Sequence, residues 1–202
     1  MKGPHRYGPF KHAFNRKMVF VYGTKGRLEE NNWAFNKARF DAETFYYRGN
    51  GSVDLIRDVD FGPTAGKDRS VILYGNSDTN SAWKQLLGDS PIKVGRGLLA
   101  MQDLTTPDKH RSQNYSSQDR AVLFLRPRPG SDTALVGAVS GTGVVGMRLT
   151  DRLPYFLAGV QYPDVIVIGP KMLDKGTGGI ELAGFFGPDW TVRSGDFAFP
   201  PP

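Results

Sequence analysis

Cysteine does not occur in this sequence of 202 residues. Its absence excludes disulfides, thiolate zinc sites and a cysteine nucleophile. It does not fix a compartment, because secreted domains also do without cysteine. Histidine is scarce: His5, His12 and His110 are the whole supply, and they show no metal-ligand spacing. No metal and no cofactor is therefore expected. No apolar run approaches the roughly 18–20 residues that a membrane helix needs, so no membrane partner is expected. The lead-in "MKGPHRYGPFKHAFNRK" has neither the apolar segment nor the small-residue cleavage site of a signal peptide. The chain is then an intracellular protein, or a mature or excised piece of something longer.

What is present starts with charge. Lysine and arginine number 26 against 20 acids, a formal balance of +6. The excess is local: Lys2, Arg6, Lys11, Arg16, Lys17, Lys25 and Arg27 all precede the first acid, Glu29. Nucleic acid is not the expected partner, because the charges beyond that point nearly balance. Residues 1–17 read as a basic linker and docking arm, and residues 18–202 as one globular domain of ordinary length.

Met18 to Tyr22 is a short continuous apolar run, the pattern of a strand buried on both faces. Glu29 and Glu30 suit a first helical turn, and Ala34, Ala38, Ala42 and Phe45 recur at helical spacing until Gly49. Val53 to Ile56 and Ser70 to Tyr74 read as two more strands, and Asn80 is placed to cap a helix running to about Leu87. Residues 103–119 are polar and aperiodic and read as an exposed loop or insertion. Two apolar runs, 121–125 and 134–139, flank a Pro, Gly and Asp turn and form an expected antiparallel hairpin. A helix from about Val144 and a buried strand at 165–168 follow, with an edge strand and aromatic covering in the tail. This alternation predicts a three-layer α/β sandwich with a mixed, mainly parallel sheet of flavodoxin or Rossmann type.

Several strands run into glycine-rich turns, where an open α/β sheet presents free backbone N–H groups to a ligand. The expected rim comprises Gly23, Thr24, Lys25, Gly75, Asn76, Asn80, Ser140, Gly141 and Thr142, and would suit a small anion or a polysaccharide. Gly141 to Gly146 spells G-x-G-x-x-G, but the acid expected about 20 residues on, Asp164, precedes its strand instead of ending it. Close packing of helix on sheet explains these glycines better than a dinucleotide does. Ser77 lies between a strand and a helix, as in a nucleophile elbow, yet Thr79 stands where the tight elbow requires glycine. With Asp103 or Asp108 and His110 it gives a formally allowed order of serine, acid and base. Ser140 lacks the leading glycine. Asp54, Asp58 and Asp60 alternate as the solvent face of a strand does more readily than as a calcium site. Trp33, Trp83 and Trp190 are the aromatic platforms available to a sugar, and buried core positions are the plainer reading.

Taken together, "GPFKHAFNRKMVFVYGT", "VILYGNSDTN", "GTGVVGMRLTDRLPYFLAGVQYPDVIVIG" and "AGFFGPDWTV" carry a resemblance. From Gly8 to Val192 the chain resembles a region found after the catalytic domain in large bacterial α/β-hydrolases of the prolyl oligopeptidase and esterase type. In that region "GP-x-x-x-AF" marks the junction with the hydrolase, and the last asparagine of "GN-x-x-x-N", here Asn80, recurs. These motifs are not catalytic signatures. The resemblance implies a secreted or periplasmic parent acting on peptides or esters, whose nucleophile lies upstream, so that the chain's partner is the hydrolase domain of its own polypeptide. A non-catalytic accessory domain is the expectation. A ligand-binding module at the rim and a weak serine esterase through Ser77 are the alternatives.

Overall fold

The computed structural model describes residues 1–62, 65–106 and 109–199, leaving aside the side chains of 103–106 and 109–113. Eight strands form one mixed sheet: β1 (Val19–Tyr22), β2 (Asp54–Arg57), β3 (Val71–Tyr74), β7 (Ala121–Pro127), β8 (Leu135–Gly141), β9 (Val165–Ile168), β10 (Ile180–Phe185) and β11 (Asp196–Ala198). Their order is β11-β10-β9-β7-β8-β3-β1-β2. The pairs β2–β1, β1–β3 and β3–β8 are parallel, and the remaining pairs are antiparallel. All strands except β7 and β10 consequently run the same way, and β1, β2, β3, β8 and β9 bring their carboxyl ends to one edge.

The central strands read as unbroken apolar runs because both their faces are covered. Every residue of β3, β8 and β9 is buried. Pairing alternates the side chains, so Phe20, Tyr22, Ile72 and Tyr74 share one face. The long helix α1 (Leu28–Gly49) lies on that face, where Phe35 meets Tyr22 at 5.2 Å between ring centres. The helix starts where the Glu30 carboxylate accepts the Arg27 N–H at 2.7 Å, and stops at Asn50, whose φ of 48° is left-handed. Shorter helices are α2 (Trp83–Leu87), α3 (Val144–Leu149) and α4 (Met172–Lys175). Trp83 of α2 packs on Phe124 of β7 at 6.0 Å.

Two expectations are corrected here. Within the segment expected as an exposed loop or insertion, residues 103–106 and 109–115 are strand: β4 (Ile92–Gly95), β5 (Leu98–Thr106) and β6 (Lys109–Tyr115) make a separate three-stranded antiparallel sheet. Ile92, Val94, Leu99 and Met101 bury β4 and the start of β5, whereas the polar residues from 103 to 115 carry no alternation to read and are held by cross-strand pairing. Nor are residues 1–17 a linker. Phe10, Ala13 and Phe14, on a 3-10 turn spanning Phe10–Phe14, are buried in the main core. Phe14 stacks on Tyr155 at 5.3 Å, and a Cβ on Gly137 of β8 would come within 3.0 Å of Ala13. Burial of each Phe side chain contributes about 2–3 kcal/mol, which outweighs the solvation preference of the flanking lysines and arginines. Lys2 pairs with the buried Asp164 and donates to the Phe186 carbonyl at 2.7 Å.

Candidate functional site

At the carboxyl edge the chain order reverses between β1 and β3, the crevice where open α/β sheets take ligands. That crevice is filled by the turn after β3. Asn80 is buried there, its amide donating to the carbonyls of Val21 and Tyr74, each at 3.1 Å, while its Oδ1 accepts the Ala82 N–H at 3.0 Å. Asn76 donates to the Gly141 carbonyl at 2.9 Å, and its own N–H is taken by Thr79 Oγ1 at 2.8 Å. The Gly23 N–H goes to the Tyr74 carbonyl, and that of Lys25 to the Thr79 carbonyl, both at 3.0 Å. A Cβ on Gly23 would lie 2.4 Å from the Thr79 oxygen, so glycine there serves the close approach of two backbones. Thr24 donates to Asp58 at 2.5 Å, and Ser81 donates to the other oxygen of that carboxylate.

The small sheet then closes the rim from outside. Ser77 donates its N–H to the Val94 carbonyl at 3.0 Å, and Gly97 donates to Thr142 at 2.7 Å. Arg96 grips Glu30 through two hydrogen bonds of 2.8 and 2.7 Å and places its N–H on Asp78 at 2.7 Å. The Thr142 N–H meets the Arg120 carbonyl at 2.9 Å, and a Cβ on Gly146 would fall 2.1 Å from that same oxygen. The G-x-G-x-x-G glycines thus seat α3 against the start of β7. Among the residues expected to hold an anion, Gly23, Asn76, Asn80 and Thr142 make their hydrogen bonds within the chain.

The serine readings part in the same way. Ser140 is buried, with no hydrogen-bond partner for its hydroxyl among the described residues, and so out of a substrate's reach. Ser77 is exposed, whereas Asp108 and the side chains of Asp103 and His110 lie outside the described residues. Asp58 is buried under Thr24 and Ser81, Asp60 pairs with Arg57 and Asp54 with Arg69, so these three acids share no site. The three tryptophans are all buried.

An open feature lies elsewhere. A cleft of about 570 Å³ runs between α1 and the segment after α3, walled by Trp33, Phe40, Tyr155 and Phe156 and rimmed by Asn36, Arg48 and Asp151. Its floor is a buried polar cluster. Asp41, 1% exposed, accepts from Lys37 at 2.9 Å on one oxygen and from Tyr74 at 3.0 Å and Tyr155 on the other. Lys37, 7% exposed, lies over the Tyr155 ring at 5.0 Å and 3.6 Å from Asp151. Trp33 is 8% exposed, and its indole N–H has no partner among the described residues.

Burial pushes the Asp41 carboxyl up, against the pull of Lys37 and the two phenols. Burial and the Asp41 charge hold both phenols well above the usual tyrosine range, so they stay protonated donors. Lys37, Tyr74 and Tyr155 all direct donors at Asp41. The arrangement can position an ammonium and aromatic walls around a bound molecule. The helix reading followed the alanines and missed Lys37 and Asp41. Yet residues 30, 33, 34, 37, 38 and 41 are the buried face of α1, and charges on that stripe were the available signal.

No protein-family model matches the chain. A stretch of 110 residues is 30% identical to a protein of Arthroderma benhamiae described as an uncharacterized secreted protein. The match takes 54% of this chain but only 11% of that protein, so the chain corresponds to a small part of a much longer relative. Among the described residues no helix is long and apolar enough to cross a membrane.

Proposed function

We propose that this chain is a non-catalytic accessory domain of a secreted hydrolase, packing on and supporting an α/β-hydrolase domain of the prolyl oligopeptidase or esterase type in the same polypeptide. The observation that carries the reading is the closed rim. The crevice where a stand-alone α/β enzyme or binding protein takes its ligand is bridged by Asn76, Asn80, Arg96 and Thr142. The match to a small part of a long secreted protein supports a module within a larger chain that leaves the cell or enters the periplasm. The finer fold reading belongs with it: α1 on the Tyr74 face of the sheet and α2 against Phe124 support a three-layer sandwich of flavodoxin type. The test is deletion of residues 1–202 from the polypeptide that carries them. Hydrolysis of peptide and acyl-ester substrates and the Tm of the remaining hydrolase are then measured. A drop in Tm or turnover is expected, and both unchanged would overturn the proposal.

The α1 cleft favours a second reading, a module that binds a neutral carbohydrate, with the site on the helix and not at the rim. Two cations and two acids balance there beside aromatic walls, which suits an uncharged polyol with an apolar face. Titrating the chain with oligosaccharides while following the Trp33 indole N–H by NMR tests it. A saturable shift of that resonance is expected, and a resonance that stays fixed sinks the reading.

A further inference from the structure

The basic lead-in folds back on itself and leaves a notch of about 200 Å³ between its own residues and the turn before β8. Arg6, Arg16, His5 and His12 line it together with Asn15 and Thr133, and no acid is among its lining residues. We propose that this notch binds one oxyanion, a phosphate or sulfate group. The surroundings are built to hold the guanidinium of Arg6 in place. Gly3 and Arg6 exchange two backbone hydrogen bonds of 3.0 Å, and Arg6 Nη1 donates to the Ser131 carbonyl. Its Nε is buried and has no partner among the described residues, an N–H that costs free energy until an acceptor reaches it.

A second observation is independent of the first. Arg16 and Lys17 both take left-handed backbone, with φ of 65° and 50°, where side chains other than glycine are strained. Arg16 is exposed on the lining of the notch, and its Nη2 donates to the His5 carbonyl at 3.1 Å. Strained backbone at a cationic side chain marks a position kept for what the side chain does. Neither arginine joins an ion pair among the described residues. Asp132 and Asp164 are the acids whose fields reach Arg6 and His12, and neither lines the notch. Two fixed guanidinium groups in so small a space suit a compact, doubly charged tetrahedral oxyanion, since arginine pairs such oxygens at short, directed distances.

The experiment titrates the chain with sodium phosphate, sodium sulfate and glucose 6-phosphate against sodium chloride at matched ionic strength, reading Tm and heat of binding. Saturable stabilisation by phosphate and sulfate beyond chloride is expected. Glucose 6-phosphate binding at least as tightly as phosphate would mean that the group arrives on a larger molecule, and binding by the inorganic ions alone would mean a free ion. Arg16→Gly relieves the left-handed strain while removing the charge, so it should raise Tm without ligand and weaken phosphate binding roughly tenfold. Arg16→Gln, which keeps the backbone constraint, should weaken binding equally. The proposal fails if chloride stabilises as much as phosphate, or if both variants bind as the parent does.

Discussion

At the strand-end rim, Asn76, Thr79 and Asn80 give their hydrogen bonds to backbone, whereas in the α1 cleft Lys37, Asp41, Tyr74 and Tyr155 give theirs to one another. Both regions bury polar groups, and the difference follows from the backbone beneath each. Turns after β1, β3 and β8 leave N–H and C=O groups without ladder partners, and buried backbone groups must be paired. Short amide and hydroxyl side chains nearby are drawn into that role. Inside α1 the backbone is already self-satisfied, so a polar side chain on its buried face finds only other side chains. The rim therefore reads as architecture, and the cleft as a cluster that a bound molecule can address.

The comparison breaks most visibly at Asp41. Asp41→Ala leaves the Lys37 ammonium buried beside two phenols with only the exposed Asp151 as a charge partner, and breaking a buried ion pair from one side costs about 3–5 kcal/mol. Urea denaturation of the variant should show that loss. A cost below about 1 kcal/mol would mean that solvent already reaches the cluster through the cleft.

What the sequence disclosed follows the same division. β1, β3 and β9 were legible because burial on both faces leaves only apolar residues at consecutive positions. The rim was legible as a place, since glycine turns follow those strands, but not in its contents. Whether the crevice is open depends on Arg96 and Thr142, which reach it from distant parts of the chain. Lys37 and Asp41 were missed because a charged pair on an alanine stripe looks like a solvated face until Tyr74 and Tyr155 are seen beneath it. The N-terminal segment was misread because its lysines and arginines mask three core residues, Phe10, Ala13 and Phe14.

Asn80 sharpens the rim side. Asn80→Ala removes the donors to the Val21 and Tyr74 carbonyls and the acceptor of the Ala82 N–H, leaving Tyr74 only the Gly23 N–H at the junction of β1 and β3. About 2 kcal/mol of stability should go, less than at Asp41 because no charge is stranded. The same denaturation series checks it. If Asn80→Ala proves the costlier of the two substitutions, the crevice and not the cleft is the tighter polar centre.

The smallest effect separates the two regions by sign. At the rim, hydrogen bonding to Arg96 holds the Glu30 carboxyl below its usual range. A lowered folded value adds stability above the ordinary glutamate range, and that stability disappears as pH falls through the folded value. Glu30→Gln should therefore cost about 1 kcal/mol at pH 7, for one charge-assisted pair, and progressively less as pH falls through the lowered folded value. Asp41 runs the other way, because burial raises its carboxyl. Its contribution is complete below the ordinary aspartate range and is lost as pH climbs through the raised value, so the gap to Asp41→Asn should narrow with rising pH. Stability measured from pH 3 to 7 for both variants should then give difference curves of opposite slope. Parallel slopes would mean that Lys37 and the two phenols outweigh burial at Asp41, or that the cleft floor is wet.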